Sequence, residues 1–336
     1  MRKYLLPEKG NFYKANLHSH SVISDGMLTA KEMKDFYMEQ GYSIIAFTDH
    51  DIFVPHNDLT DENFLALNGY EIEVGFTYDI KFRELKICHF CLIALDPEMN
   101  TQYFYHRTRP VNFKDEYRHL INPDEKTLDF ETERTPECIS MMMKTARDNG
   151  FFVTYNHPTW SLENYTDYIN YHNMHAMEIC NYGCVVSGHP EYNERVYDDM
   201  LRAGKKIYCI GTDDNHNCNG DEDSFGAFTV IKAENLEYKT VADALVKGNF
   251  YASQGPEIFE LYYEDEKVYV KCSDAKTIRL STDGRRVKRF EAPCGETINE
   301  AMFELTPDDK YIRITIVDAE GKHANTNAYF CDELRG

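Results

Sequence analysis

Long apolar runs are absent from this sequence of 336 residues. A membrane-spanning helix needs roughly 18 consecutive apolar residues, and no stretch of the sequence approaches that length. The segment from Met1 to Pro7 carries basic residues, but its apolar run is too short for a secretory signal. We therefore expect a protein that is neither exported nor bound to a membrane.

Basic residues are also scarce, with 36 Lys and Arg against 57 Asp and Glu and a formal net charge of −21. Binding to nucleic acid or to anionic lipid depends on clustered Lys and Arg, so the composition argues against both partners. A small phosphorylated substrate is not excluded, because bound metal cations can reverse the local field of a site.

The ten cysteines lack the spacing of a small disulfide-rich domain and that of a zinc ribbon. Cys88 and Cys91 form a C-x-x-C pair, but they lie in a strand-like run, where side chains three apart point to opposite faces. Such cysteines are typical of buried free thiols. We expect reduced thiols and a cytoplasmic location.

Short apolar runs alternate with helical patterns from Phe12 to about Phe250, without low-complexity segments. Thr29 followed by Glu32 predicts a capped helix start, and Thr135 before Pro136 predicts another. Alternating strands and helices indicate an α/β protein with a mostly parallel sheet. In such sheets the chemistry gathers at the carboxyl ends of the strands.

The pattern changes after Tyr251, where β-rich segments separated by Gly, Asp and Pro turns replace the helical period. We expect residues 254–336 to form a small all-β sandwich domain and residues 1–253 to form the larger domain. The sequence leaves the role of the small domain open. It could shape a rim of the pocket, form the dimer contact of a homo-oligomer, or stabilise the larger domain.

Residues 96–134 interrupt the alternation, with many Tyr, Phe, Arg and Asp residues and little periodicity. One interpretation is a solvated insertion. The other is a functional lid, since long connections often carry function and Arg suits bidentate contact with phosphate. In the second interpretation His106, Arg107 and Arg109 bind an anionic substrate.

Two histidines, His18 and His20, directly follow the apolar-rich run that ends at Leu17. Side chains two apart on a strand point the same way, so both imidazoles can reach one cavity and bind one ion. Such a pair is a weak signal alone, because His also packs in cores or faces solvent. Its weight comes from similar residues at the ends of later strands.

Histidine and carboxylate side chains recur at five strand ends, which fits chance poorly, although a lone one is most often a solvated loop residue. His89 is an exception, because it lies within its strand. Five or six imidazoles with two or three carboxylates exceed the four ligands of a structural zinc site. They suit two or three divalent ions, with Glu71 as a bridge. The strand-end candidates are His18, His20, Asp25, His50, Glu71, His157, Asp214 and His216.

In chain order the motifs are His18-x-His20, Thr48-Asp49-His50, Gly69-Tyr70-Glu71, Asn156-His157-Pro158 and Asp214-x-His216. Their order resembles that of the polymerase and histidinol phosphatase (PHP) superfamily over residues 12 to about 253. The order is more specific than any single motif. The tail, from Tyr251 through Pro256 into β structure, is similar to the CehA/McbA-type metallohydrolase branch.

This resemblance implies a distorted (β/α)7 TIM-like barrel and a trinuclear site that holds zinc, manganese or iron. Two ligand positions stay open. Asp213 competes with Asp214, because the last motif carries an extra residue, and Glu73 competes with Glu71 on the same strand face. Carried over motif by motif, the metal ligands are His18, His20, Asp25, His50, Glu71, His89, His157, Asp214 and His216.

The expected function is hydrolysis of a small phosphate ester, and a small phosphorylated molecule is the expected partner. A water shared between metal ions loses a proton near neutral pH and attacks phosphorus in line. The leaving alkoxide would be held by a third ion or protonated by His216 or His89. Two alternatives are a carboxyl or carbamate ester hydrolase that uses the same site, and a binding module whose metals are structural.

Overall fold

The computed structural model describes residues 2–75 and 86–336. Within these residues, no helix has the length and apolarity needed to cross a bilayer. The strands are β1 (Lys3–Tyr4), β2 (Asn11–Asn16), β3 (Ile44–Phe47), β4 (Leu65–Val74), β5 (Cys88–Ala94), β6 (Phe151–Tyr155), β7 (Ala176–Asn181), β8 (Tyr208–Thr212), β9 (Phe228–Ala233), β10 (Phe250–Ser253), β11 (Ile258–Glu264), β12 (Lys267–Ala275), β13 (Thr277–Thr282), β14 (Val287–Glu291), β15 (Ile298–Glu304), β16 (Tyr311–Val317), β17 (His323–Thr326) and β18 (Tyr329–Phe330). The helices are α1 (Ala30–Met38), α2 (Pro136–Asp148), α3 (Tyr165–Tyr168), α4 (Tyr182–Val186), α5 (Glu194–Arg202), α6 (Tyr238–Lys247) and α7 (Cys331–Arg335).

The two predicted helix starts are confirmed by their capping contacts. At α1, the Thr29 hydroxyl accepts the backbone N–H of Glu32, and the Glu32 carboxylate accepts the backbone N–H of Thr29. At α2, Thr135 caps the helix through the backbone N–H of Cys138, and Pro136 occupies the first turn. Each cap satisfies backbone donors that a helix start leaves without partners.

Most strands belong to one large curled sheet of mixed direction. Strand β2 is parallel to β3, β3 to β4, β6 to β7, and β7 to β8. Strand β5 runs antiparallel to both β4 and β6, so the sheet differs from the mostly parallel one expected. A strand pattern carries no direction, and antiparallel neighbours need no crossover helix. The strand order is β14-β13-β16-β17-β10-β9-β2-β3-β4-β5-β6-β7-β8.

The curl of this sheet brings β8 against β9. The Thr229 hydroxyl on β9 donates to the carbonyl of Gly211 on β8 (2.9 Å) and accepts the N–H of the same residue (3.2 Å). Among the described residues, no backbone ladder joins the two strands. Just beyond the ends of β2 and β8, the backbone N–H of Asp214 donates to the carbonyl of His18 (3.0 Å) and that of His20 donates to the carbonyl of Asn215 (3.1 Å). The described residues thus meet there through one isolated bridge, and no ladder closes the sheet.

The C-terminal strands form two antiparallel layers. One layer is a separate four-stranded sheet in the order β1-β11-β12-β15, and the other is the part of the large sheet that holds β14, β13, β16 and β17. Val268 and Val270 of the first layer share a buried apolar cluster with Leu280 and Ile314 of the second. Strand β17 pairs with β10 across the expected domain boundary, so the two predicted domains share a sheet.

The cysteines are unpaired, and the predicted free thiols Cys88 and Cys91 are both buried. Their strand, β5, is buried along its whole length. Free Cys packs there as a small apolar side chain. The prediction of buried free thiols at these two positions is confirmed.

The insertion at residues 96–134 packs against the loop that follows β2. Tyr105 and Phe113 share a small apolar cluster with Ile23 and Ile52. The backbone N–H of Lys114 donates to the carbonyl of Ile23 (3.0 Å). The insertion is therefore a packed wall beside this loop and not a solvated excursion.

Candidate metal centre

Six buried side chains meet at one edge of the central strands, and none of them is more than 8% exposed. The arrangement follows from strand direction, because the carboxyl ends of parallel strands lie at the same edge of a sheet. The six are His18 and His20 after β2, His50 after β3, Glu71 in β4, His157 after β6 and Asp214 after β8.

His89 joins this cluster because its strand runs the opposite way. Strand β5 is antiparallel to β4, with Glu73 opposite His89 and Glu71 opposite Cys91. A residue near the beginning of β5 therefore lies at the edge where the parallel strands end. The Nδ1 atom of His89 reaches within 3.2 Å of Glu71 Oε1, so its position inside a strand is no exception to the pattern.

The carboxylate of Glu71 lies at the centre of the cluster. Its two oxygens face different sets of imidazoles, which is the arrangement a bridging ligand needs. The neighbouring nitrogens are His18 Nε2 (3.3 Å), His89 Nδ1 (3.2 Å) and His157 Nε2 (3.3 Å) around Oε1, and His50 Nδ1 (3.0 Å) and His20 Nε2 (3.6 Å) around Oε2.

Asp214, and not Asp213, faces the cluster. Its Oδ1 atom lies 3.1 Å from His18 Nε2 and 2.9 Å from His20 Nε2. The Asp213 carboxylate instead accepts the three backbone N–H groups of residues 225–227 at 2.9–3.0 Å. Asp214 has a positive φ of 51°, a left-handed conformation that Asp tolerates better than most residues. Of the two aspartates, Asp214 is therefore the one whose carboxylate faces the cluster.

Asp25 and His216 lie at the outer side of the cluster. The Asp25 side chain is 48% exposed, and its Oδ2 atom lies 3.4 Å from His216 Nε2 and 3.8 Å from His50 Nε2. The loop that carries Asp25 is held by Asp49, whose carboxylate accepts the backbone N–H groups of Ser21 (2.8 Å) and of Ser24. Asp49 therefore positions the loop that carries Asp25, although it stands in the motif Thr48-Asp49-His50.

Several ligand-type atoms of the cluster lack a hydrogen-bond partner. Unpaired buried polar atoms each cost about 1–3 kcal/mol, so several at one place indicate a missing binding partner. Imidazole nitrogens and carboxylate oxygens are donors shared by zinc, manganese and iron sites. The residues therefore fit divalent metal ions. Of the ten buried side-chain atoms without a hydrogen-bond partner among the described residues, five belong to this cluster: His20 Nδ1, His50 Nδ1, His89 Nδ1, Glu71 Oε2 and Asp214 Oδ1. Glu71 approaches His50 and His89 closely, but without hydrogen-bond geometry.

The ligand atoms fall into four overlapping groups, each within 4.8 Å. Because the groups share residues, the candidate ion positions that they define lie close together. The groups are His20 with Asp25, His50 and His216; His18 with Glu71 and His157; His18 with His20 and Asp214; and His50 with Glu71 and His89.

The electrostatics of the metal-free cluster are divided. Although burial opposes it, nearby carboxylates raise the pKa of His18, His50, His89 and His216, whereas His20 and Glu71 are shifted towards the forms that bind metal. Burial lowers the pKa of His20, and the neighbouring His50 and His216 lower it further, to about 4. Burial would raise the pKa of Glu71, but nearby imidazoles, with His18 the strongest, hold it well below its ordinary value. A neutral imidazole and an ionised carboxylate are the forms that ligate a metal ion.

A buried carboxylate that the motifs do not include, Glu178 on β7, ties the ligands together. Its Oε1 atom lies 2.7 Å from His18 Nδ1 and accepts the hydroxyl of Thr212 (2.7 Å). Its Oε2 atom accepts the backbone N–H of His157 (2.8 Å) and the side-chain amide of Asn181 (2.9 Å). Histidines that bind metals commonly hold a carboxylate on the other ring nitrogen. A charged residue inside an otherwise apolar strand is the sequence signal that could have found it.

Glu73 plays a similar supporting part for His89. Its Oε2 atom lies 3.0 Å from His89 Nε2 and accepts the amide of Asn112 (3.3 Å). Glu71 is the carboxylate inside the cluster, and the amide of Asn156 donates to its Oε1 atom (2.8 Å). Of the two glutamates that the sequence left open, Glu71 therefore lies inside the cluster, and Glu73 contacts His89 from outside it.

A cavity of about 500 Å³ opens onto the cluster. Its lining includes Trp160, Cys184 and Val186, and the insertion contributes Asn112. The ring of Trp160 lies 4.9 Å from the ring of His157. Among the described residues that line the cavity, there is no Lys or Arg.

The predicted anion-binding side chains of the insertion lie elsewhere. Arg107 pairs with Asp129, and Arg109 donates to the backbone carbonyl of Glu73 (2.9 Å). Neither arginine lines the cavity, and neither does His106. The placement does not support a role of these residues in substrate binding, because each arginine is engaged by acceptors within the chain.

No family model and no curated protein matches this chain. It is similar to the structure of a two-domain protein from Bacteroides vulgatus that contains a predicted PHP-like metal-dependent phosphoesterase, with a TM-score of 0.45, 16% identity and 97% of each chain covered. It is also similar to a candidate metal-dependent phosphoesterase from Bifidobacterium adolescentis, with a TM-score of 0.39 and 15% identity over 72% of this chain and 98% of the other. A third is an amidohydrolase from Chromobacterium violaceum with bound sulfate and no metal, with a TM-score of 0.39 and 15% identity over 60% and 87%.

Proposed function

We propose that this protein is a metal-dependent hydrolase of the PHP type that cleaves a small phosphate ester. The observation that carries the proposal is the buried cluster around Glu71, in which five ligand-type atoms lack a hydrogen-bond partner. The order of the sequence motifs supports the PHP assignment and, with it, a distorted (β/α)7 barrel for the larger domain. The tail from Tyr251 through Pro256 supports the CehA/McbA-type branch.

The proposed centre holds two or three ions of zinc, manganese or iron. The four overlapping ligand groups support this number, because they share Glu71, His18, His20 and His50. Such ions generate a nucleophile from water near neutral pH and stabilise the charge that develops on phosphoryl oxygens. Asn156 holds one oxygen of Glu71, and this contact keeps the carboxylate between the two sets of imidazoles.

We assign the proton donor for the leaving alkoxide to His216 before His89. Both residues line the cavity. His216 Nδ1 lies 3.0 Å from the carbonyl of Asp214, and His216 Nε2 lies 3.4 Å from Asp25 Oδ2. In this role His216 Nε2 carries a proton and is not a metal ligand. The two nitrogens of His89 lie within 3.2 Å of Glu71 and Glu73. A ring held by carboxylates on both sides is less free to transfer a proton to the cavity.

Hydrolysis of a carboxyl or carbamate ester is the second candidate function. The cavity lining favours it, because the described lining holds no Lys or Arg to bind a phosphate dianion. An uncharged ester needs no such side chain. The same cluster then polarises a carbonyl group in place of a phosphoryl group.

The test compares p-nitrophenyl phosphate with p-nitrophenyl acetate after reconstitution with Mn²⁺ or Zn²⁺. We expect release from the phosphate, and loss of that release in His18→Ala with an unchanged circular dichroism spectrum. His119→Ala is the matched control, because His119 is exposed and lies outside the cluster.

Three outcomes contradict the proposal in different ways. Release from the acetate alone favours the second candidate. Tight metal binding without hydrolysis of either ester favours a binding module. An active His18→Ala protein with native metal content refutes the whole site.

A further inference from the structure

The cavity over the candidate centre is rich in carboxylates. Six of them line it, against no described Lys or Arg. Two or three divalent ions carry four to six positive charges, which offset these carboxylates and leave no excess for a second anionic group on a substrate. The six are Asp25, Glu71, Glu73, Asp214, Glu222 and Asp223.

One of these carboxylates has no partner among the residues that the structure describes. Glu73 holds His89, and Asp223 accepts the backbone N–H groups of His216 (2.7 Å) and Asn217 (3.0 Å). Glu222 is exposed at the cavity and has neither a hydrogen bond nor an ion pair with the described residues. The carboxylate of Glu222 is therefore available to interact with a ligand in the cavity.

An aromatic face accompanies this carboxylate in the cavity lining. Trp160 is the single tryptophan of the sequence, and its ring lies 4.9 Å from the His157 ring and 5.5 Å from the His89 ring. A tryptophan face attracts ammonium groups within about 6 Å of its centroid. The neighbouring Val186 and Cys184 provide apolar surface for alkyl groups.

We propose that the cavity selects phosphate esters whose alcohol carries an ammonium or quaternary ammonium group a few bonds from the ester oxygen. Glu222 and Trp160 are the specificity-determining residues, and the inference rests on the proposed function. In the reaction, water oxygen bonds to phosphorus and the phosphorus–oxygen bond to the alcohol breaks. The alkoxide takes a proton, so the products are inorganic phosphate and the cationic alcohol.

The experiment compares three esters by kcat/KM on the metal-loaded enzyme. Phosphocholine and 3,3-dimethylbutyl phosphate share a shape and differ by one positive charge, and 4-phosphooxybutanoate ends in a carboxylate. We expect them to rank in that order, with a difference on the order of tenfold per charge at low salt. The difference should shrink as KCl is added, because exposed charges are screened.

Two variants and a binding measurement identify the residues. Glu222→Gln should bring kcat/KM for phosphocholine towards that of the neutral ester. Asp221→Asn, the same change at a neighbour that does not line the cavity, should keep the preference. With excitation that selects tryptophan, choline should quench Trp160 fluorescence at lower concentration than 3,3-dimethylbutan-1-ol.

Equal kcat/KM values for the three esters overturn the inference and leave the proposed function standing. A preference that survives Glu222→Gln also overturns it. The absence of phosphate release from all three esters overturns the inference alone when p-nitrophenyl phosphate is still hydrolysed. When p-nitrophenyl phosphate is not hydrolysed either, the proposed function is refuted and the inference falls with it.

Discussion

Replacement of Glu178 by Gln tests whether the candidate centre depends on residues outside the ligand set. The carboxylate is fully buried and makes four contacts, two at each oxygen, with His18, Thr212, His157 and Asn181. Glutamine has nearly the same shape, but one of its two terminal atoms is a donor. If the fold accommodates the new side chain, the Glu178→Gln protein therefore loses the negative charge at this position and part of its four hydrogen bonds.

The size of the effect follows from those contacts. If the amide nitrogen takes the place of Oε2, it faces the backbone N–H of His157 and the amide of Asn181, which are both donors. If it takes the place of Oε1, it faces His18 Nδ1, which must then act as an acceptor, so that the proton of the neutral ring sits on Nε2 and blocks that nitrogen as a metal ligand. Either orientation leaves a mismatch worth about 1–3 kcal/mol. Loss of such an outer carboxylate typically lowers metal affinity about 10–100-fold.

The assay is metal affinity by competition with a chelator, alongside thermal unfolding of the metal-free protein. We expect Glu178→Gln to lower metal affinity about 10–100-fold. Glu191→Gln is the matched control, because Glu191 is equally buried and accepts the backbone N–H groups of Thr159 and Trp160 without touching a candidate ligand side chain. It should lower unfolding stability and leave metal affinity unchanged. Wild-type affinity and stoichiometry in Glu178→Gln would refute the reasoning.

Three further predictions concern other parts of the fold. Burial lowers the pKa of His175 to about 4, so the unfolded chain takes up a proton first as pH falls below about 6.5. The contribution of His175 to the free energy of unfolding should then drop by about 2 kcal/mol between pH 7 and pH 5. Urea titrations at the two pH values should show this amount as the difference between the wild type and His175→Gln. Asp213→Asn places an amide against backbone N–H groups, so it should cost about 1–3 kcal/mol in unfolding stability with no change in metal stoichiometry by elemental analysis; a lost ion would assign Asp213 to the centre. Arg107→Ala removes an exposed ion pair with Asp129. It should change unfolding stability by less than about 1 kcal/mol and leave the rate of ester hydrolysis at the wild-type value. A large fall in kcat/KM would indicate that Arg107 does bind the substrate.

Much of the candidate centre could be predicted from the sequence, because its ligands follow strands. His18, His50, His157 and Asp214 come after apolar runs that form β2, β3, β6 and β8, and parallel strands bring such positions to one edge. The local rule for helix starts was equally reliable at Thr29. Where the positions of the ligands follow from the order of strands and helices, the pattern of residue types is sufficient to predict them.

The remaining features depend on information that a strand pattern does not carry. His89 seemed misplaced because the direction of β5 is set by its pairing with β4 and not by its own residues. Glu178 lies in the middle of β7, and its role follows from four groups that are distant in sequence. Arg107 has the chemistry for phosphate binding, but Asp129 engages it first, and nothing in the spacing of the two residues indicates that contact.

The pairing of β10 with β17 also has a consequence for how the molecule can be divided. A cut after Ser253 would expose the edge of a fully buried strand, and bare edges of this kind recruit other chains. It would also strip Arg313, a cation only 1% exposed, from Asp198 and Glu194 on α5. The larger domain is therefore not a fragment that stands alone, and truncated or fused versions of the chain should keep the C-terminal β layers as its scaffold.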